Sequence, residues 1–102
     1  MSFEREGVFI HETAEVSPDA VIGAGTKIWH QAQVMPGAMI GQNCKIGKGV
    51  YIDTGVKIGD NVKVQNYVSV YRGVTVEDEV LLGPHMTFTN DLYPRANNSD
   101  FV

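Results

Sequence analysis

The 102-residue sequence predicts an all-β fold, a single-stranded parallel β-helix of six-residue repeats. The first observation is an aliphatic column, in which every sixth residue from Ile10 to Leu82 is Ile, Val or Leu and the last member is Phe88. The second is a column offset by four residues, from Ala14 to Leu92, that contains no charged residue. Neither a helix nor a single strand has a period of six, so the period belongs to a repeating coil whose interior holds both columns.

The third observation concerns the corners of the coil, which need residues that tolerate a positive φ. Such residues occupy the fourth position of nine of fourteen repeats: Asp19, Gly25, Gly37, Asn43, Gly49, Gly55, Asn61, Gly73 and Asp91. Three repeats make one coil, so residues 18 apart stack at about 4.8 Å. About five coils are expected, and they are Ile10–Lys27, Ile28–Lys45, Ile46–Lys63, Val64–Leu81 and a looser Leu82–Ser99.

Length and composition restrict the class of protein. The chain predicts one domain, with a lead-in over residues 1–9, the repeat over 10–93 and a loop and tail over 94–102. A net charge of −4 argues against nucleic-acid binding, and no apolar run is long enough to span a membrane. The only cysteine, Cys44, lies in the inward column and favours a reducing compartment, so a cytoplasmic protein without a signal peptide is expected.

One edge of the expected prism departs from the corner rule. Four of the five exceptions at the fourth position are 18 or 36 residues apart: Thr13, Gln31, Tyr67 and His85. The third position of the same edge holds Glu12, His30, Lys48, Asn66 and Pro84, and Gln65 precedes Asn66. Departures from a local rule tend to mark functional sites. We call this the irregular edge and expect it to form a substrate site, a subunit interface, or both.

Four segments carry a resemblance to a known family: "IGAGTKIWH", "GAMIGQNCKIGKGVYI", "VKVQNYVSVYRGVTVEDEVLLGP" and "MTFTNDLYPRA". Together they resemble the hexapeptide-repeat nucleotide-sugar 3-N-acetyltransferases over roughly residues 8–96. The resemblance implies transfer of acetyl from acetyl-CoA to the 3-amino group of a UDP- or dTDP-linked amino sugar, a precursor of lipopolysaccharide or another cell-surface polysaccharide. It also implies a left-handed coil and a homotrimer with active sites between subunits.

The resemblance also implies roles for individual residues. Asn90 matches the position that holds the reacting amine, and Arg95 matches the arginine of the "PR" segment. The remaining matches are Trp29 with His30, Gln65 with Asn66, and Tyr71 after "VSV". Tyr67 stands where a second Asn is common and His85 where Ser is common, which puts the sugar preference in question.

Amide formation needs a neutral amine, donors for the oxyanion and a proton acceptor, which is often histidine. His85 and His30 are therefore the candidate bases, with surface histidines as the alternative. Residues 18 apart stack, so Asn90 is expected over Arg72, with Tyr71 beside it. Arg72 could hold a diphosphate and Tyr71 a base or sugar ring. The alternative is that Arg72 is a solvated residue on a sheet face.

Two other kinds of chemistry are discounted. The histidines, His11 included, are spaced 19 and 55 residues apart, which suggests no close pair on one rung and no metal site. Cys44 is expected to be a core residue rather than a nucleophile.

The end of the sequence favours a rival interpretation. Family members continue with further coils beside which acetyl-CoA lies, whereas this sequence stops at "NNSDFV". The rival is a non-catalytic, truncated β-helix that acts as a structural or assembly module.

Overall fold

The computed structural model describes residues 7–83 and the backbone of residues 87–88. This part of the chain forms fourteen two-residue strands, each joining the last residue of one repeat to the first residue of the next. The strands are β1 Phe9–Ile10, β2 Glu15–Val16, β3 Val21–Ile22, β4 Lys27–Ile28, β5 Gln33–Val34, β6 Met39–Ile40, β7 Lys45–Ile46, β8 Tyr51–Ile52, β9 Lys57–Ile58, β10 Lys63–Val64, β11 Ser69–Val70, β12 Thr75–Val76, β13 Leu81–Leu82 and β14 Thr87–Phe88.

The strands stack into three parallel sheets, one on each side of a prism. The first sheet has the order β1-β4-β7-β10-β13, the second β2-β5-β8-β11-β14 and the third β3-β6-β9-β12. Every pair joins residues 18 apart, as in Lys27 with Lys45 and Ser69 with Thr87. The predicted parallel β-helix of 18-residue coils is therefore confirmed, and its coil is consistent with the left hand that the resemblance implies.

The interior of the prism holds the two predicted columns. From Ile28 to Val76, every residue of both columns is buried. Thr26 is the only buried polar residue of the described chain, and its hydroxyl donates to the carbonyl of Gly41 at 2.7 Å and accepts the Cys44 N–H at 3.1 Å. The described core is thus aliphatic apart from one hydroxyl, and that hydroxyl has its hydrogen-bond partners within the chain.

The corners follow the predicted conformation with two exceptions. All ten fourth positions from Gly25 to Glu79 have a positive φ, including the non-glycine residues Gln31 and Tyr67 of the irregular edge. In the described chain, only Thr13 and Asp19 among the fourth positions lack it. Their N–H groups bond to side chains within their own corner instead, the Thr13 N–H to Nδ1 of His11 at 3.1 Å and the Asp19 N–H to Oγ of Ser17 at 3.4 Å.

Three edges join the sheets. The irregular edge follows the first sheet and comprises corners 11–14, 29–32, 47–50 and 65–68. The second edge follows the second sheet with corners 17–20, 35–38, 53–56 and 71–74, and the third edge follows the third sheet with corners 23–26, 41–44, 59–62 and 77–80. In residues 7–83 we find no helix long and apolar enough to cross a bilayer.

Candidate functional site

Tyr67 marks the irregular edge with a strained backbone. Its φ is +63° and its side chain is 46% exposed. A left-handed conformation costs an ordinary L-residue about 1–2 kcal/mol. The ring lies on Gly49 in the coil before it, because a Cβ at position 49 would lie 2.6 Å from both Cδ1 and Cε1 of Tyr67. The Tyr67 N–H donates to the carbonyl of Lys48 at 2.8 Å, so the corner holds the ring at this place despite the strain.

Asn66, which precedes Tyr67, stabilises the coil with its side-chain amide. Its Oδ1 accepts the Lys48 N–H at 3.0 Å, and a Cβ at position 47 would come within 2.6 Å of that oxygen. Gly47 therefore leaves the space that the amide cap of Asn66 needs. The sequence pattern selected Asn66 as a binding residue, and the structure shows that one end of its amide already stabilises the coil.

His30 belongs to an aromatic group at the start of the irregular edge. Its ring centroid is 3.8 Å from that of His11 and 6.4 Å from that of Trp29, and Phe9 lies 5.2 Å from Trp29. His11 and His30 lie on successive coils rather than on one rung, and their rings meet because a spacing of 19 residues is one coil plus one residue. Within the described residues no three potential ligands gather in a metal-binding group. Both His30 and Trp29 are exposed, so either side chain can contact a ligand.

Tyr71 and Arg72 lie on the second edge, across the second sheet from His30, Gln65, Asn66 and Tyr67. The Arg72 N–H donates to Oδ2 of Asp53 at 3.2 Å, which ties this corner to the coil before it. One chain therefore does not bring all the predicted site residues together, since the two groups occupy different edges of the prism.

Tyr51 of β8 and Asp53 of the second edge, which the sequence pattern did not select, contact Tyr71 and Arg72. Tyr51 packs against Tyr71 with ring centroids 5.9 Å apart and an interplanar angle of 56°. Desolvation, followed by the charge and hydrogen bond of Asp53, raises the pKa of Tyr51 above its usual value of 10.0. The 18-residue register predicts that these two rings are close, because Tyr51 pairs with Ser69, two residues before Tyr71.

The remaining predicted residues, Asn90, His85 and Arg95, lie outside the described residues. Cys44 behaves as predicted for a core residue. Burial raises the pKa of its thiol above 9.0, and the thiol lies 3.1 Å from the carbonyl oxygen of Gly59. A protonated, enclosed thiol is a poor nucleophile.

Comparison with known families finds the repeat itself. Residues 19–54 match the model described as bacterial transferase hexapeptide (six repeats), and residues 37–72 match the hexapeptide repeat of succinyl-transferase. A comparison with curated proteins gave no match. Residues 19–72 thus match the hexapeptide repeat that these two models describe.

Solved structures show the same architecture. The acetyltransferase domain of PglB from Neisseria gonorrhoeae is 19% identical with a TM-score of 0.56, over 78% of this chain and 50% of that one. A mutant of perosamine N-acetyltransferase from Caulobacter crescentus, in complex with CoA and GDP-perosamine, is 20% identical with a TM-score of 0.61, over 82% and 49%. The chain spans about half the length of these structures. At such identities the likeness shows the shared β-helix alone.

Proposed function

We propose that the protein is an acetyltransferase that moves acetyl from acetyl-CoA to the amino group of a nucleotide-linked amino sugar. The observation that carries the proposal is the irregular edge, where exposed His30, Asn66 and Tyr67 interrupt an otherwise regular corner pattern. The transferase repeat supports the reaction class. The resemblance of the segment from Val62 to Asn90 supports the finer assignment, a UDP- or dTDP-linked 3-amino sugar used for lipopolysaccharide or a related polysaccharide.

The chemistry requires one bond to form and one to break. The amine nitrogen attacks the thioester carbonyl, the C–S bond breaks, the sulfur leaves as CoA, and a base accepts the amine proton. His30 or His85 is the proposed base, and Asn90 is proposed to orient the amine. The side chains of Gln65 and Asn66 offer amide groups for the sugar hydroxyls, and the Tyr67 ring offers an apolar face on which a sugar ring can lie. No metal is needed for this step.

A homotrimer would explain the separation of the two residue groups. The irregular edge and the second edge lie on either side of the second sheet, so one chain cannot close a pocket around a substrate with both of them. We propose that the second edge of a neighbouring subunit faces the irregular edge. Tyr71 and Arg72 would then hold the nucleotide sugar from across the interface, and Arg95 is proposed as a further contact to the same substrate. We also place the protein in the cytoplasm, which the buried, unpaired Cys44 favours.

The first experiment is calorimetric titration of the purified protein with acetyl-CoA and with UDP- and dTDP-linked 3-amino sugars, followed by a transfer assay. We expect both ligands to bind and Asn90→Ala to abolish transfer while the oligomer keeps its size. Near-normal turnover of that variant would refute the role of Asn90.

A pair of matched glutamines controls for general surface effects. Gln65→Ala should weaken sugar binding, whereas Gln42→Ala, which changes an exposed amide on the third edge, should leave it unchanged. If neither ligand binds, the alternative of a non-catalytic β-helix acting as an assembly module gains support. Exposed Val21 and Met39 on the third sheet would suit the protein contacts of such a module.

A further inference from the structure

The outer face of the first sheet carries three stacked lysines. Lys27 pairs with Lys45 and Lys45 with Lys63, so their side chains leave the sheet one strand spacing apart, about 4.8 Å. Like charges directly opposite each other on a sheet are destabilising. In residues 7–83, no carboxylate lies within 4.0 Å of these three ammonium groups.

A groove of about 330 Å³ lies between this lysine row and the irregular edge, and it is lined by Trp29, Lys45, Gly47, Lys63 and Gln65 among others. Trp29, Gly47 and Gln65 follow one another at the same position of three successive coils. Because Gly47 lacks a side chain, the nearest side-chain group over it is the Asn66 amide that caps Lys48, and the groove opens outside that amide between Trp29 and Gln65. We call the groove the lysine notch, defined by these five residues.

The dimensions of the lysine notch suit a flat ring. Trp29 and Gln65 are two coils apart, about 9.6 Å along the axis. A ring stacked on Trp29 occupies about 3.5 Å of that distance, so it fits between the two residues. Trp29 is 38% exposed, so its indole can accept such a ring. The neighbouring ammonium groups of Lys45 and Lys63 would lie beside a charge attached to the ring.

We infer that the lysine notch binds a nucleoside diphosphate, with the base on Trp29 and the phosphates on Lys45 and Lys63. This inference rests on the proposed function and deepens it, because both proposed substrates contain such a group. One source is the nucleotide sugar and the other is the adenosine diphosphate portion of the coenzyme. The phosphates would also relieve the repulsion within the lysine row.

The single tryptophan provides the measurement. Trp29 is the only tryptophan of the chain, so quenching of its fluorescence reports a ring stacked in the lysine notch. We expect UDP, dTDP or ADP to quench it with a salt-dependent affinity. Tighter binding of UDP or dTDP identifies the nucleotide sugar as the source, and tighter binding of ADP and CoA identifies the coenzyme. Inorganic pyrophosphate binding as tightly as every nucleotide would refute ring recognition.

Matched lysine variants test the phosphate contact. Lys45→Gln and Lys63→Gln should each weaken nucleotide binding about fivefold or more, as expected for loss of a charge-assisted contact. Lys57→Gln changes an exposed lysine at the same repeat position on the third sheet and should leave binding unchanged. Equal affinities for the three variants and the unchanged protein would overturn the inference.

The transfer assay separates the two proposals. If transfer occurs and Lys45→Gln alters the KM of neither substrate, the lysine notch is refuted and the acetyltransferase stands. If nucleotides bind through Lys45 but no transfer to any amino sugar is seen, the site stands and the proposed function fails.

Discussion

Gly49→Ala is the substitution that most directly tests the geometry of the irregular edge. Gly49 has a φ of +68°, and an added Cβ would lie 2.6 Å from two ring atoms of Tyr67. The chain offers a matched control in Gly55, whose φ is +75° and whose added Cβ would meet nothing within 4 Å. Both substitutions place alanine in a left-handed corner, but only one meets a ring.

The magnitudes follow from this difference. Left-handed alanine costs about 1–2 kcal/mol, and the lower entropy of the unfolded chain offsets about 0.4–1 kcal/mol of that. We therefore expect Gly55→Ala to lower the free energy of unfolding by about 1 kcal/mol. Gly49→Ala must also push the Tyr67 ring away, which adds roughly 1 kcal/mol because an exposed ring can rotate aside. In a domain of this size the added cost corresponds to about 4–8 °C in Tm.

A double-mutant cycle isolates the ring contact, with urea unfolding followed by circular dichroism. Tyr67→Asn removes the ring and supplies a residue that tolerates positive φ. In that background Gly49→Ala and Gly55→Ala should cost the same, so the coupling between positions 49 and 67 should be about 1 kcal/mol.

Two results would refute the reasoning. Equal costs for the two glycine variants in the unchanged protein would mean that the Tyr67 ring does not rest on Gly49. A coupling near zero would mean that the extra cost has another origin. Titration of the Gly49→Ala variant with the amino-sugar ligands then shows whether the position of the ring matters for binding.

Three further predictions concern the coil itself. Ile46→Ala should lower the free energy of unfolding by about 2–5 kcal/mol in urea because Ile46 is fully buried, and a loss below 1 kcal/mol would contradict a packed core. Burial raises the pKa of the Cys44 thiol above 9.0, so the unfolded thiol ionises at a lower pH than the folded one. The free energy of unfolding should therefore be unaffected by this thiol below pH 9.0 and should fall as the pH rises above 9.0. Cys44→Ala should remove this part of the pH dependence. Asp78→Ala removes the acceptor of the Asp60 N–H at 2.8 Å and should cost about 1 kcal/mol in thermal unfolding, whereas Glu77→Ala, with no such bond in residues 7–83, should cost less.

The fold was predictable because a hexapeptide solenoid is quasi-one-dimensional. Each repeat contacts its sequence neighbours and the repeats one coil away, so a single period gives both the register and the interior. The pairing of Lys27 with Lys45 follows from that period alone. The side-chain caps follow the same period, since Asn66, Asp60 and Asp78 each accept the N–H of the residue 18 positions earlier. The period does not by itself distinguish such a cap from a binding residue at Asn66.

The candidate site was predictable only in part. The corner rule found the irregular edge because Gln31 and Tyr67 break it, yet the structure shows both in the same left-handed conformation as the glycines. The rule therefore located the edge without revealing its strain. The pairing of Tyr51 with Tyr71 went unnoticed because each residue alone fits an ordinary exposed position.

By itself the sequence determined the all-β class, the 18-residue coil, the inward columns and the edge that departs from them, since all of these are properties of a period. Tertiary structure alone decided which side chains meet. It placed His11 against His30, set Tyr67 on Gly49, formed the lysine notch between Trp29 and the lysine row, and separated Arg72 from His30 by a whole sheet. The physical reason is that a period fixes the position of each Cα along and around the axis, whereas contacts depend on side-chain length, rotamer and the space that a glycine in the adjacent coil leaves free.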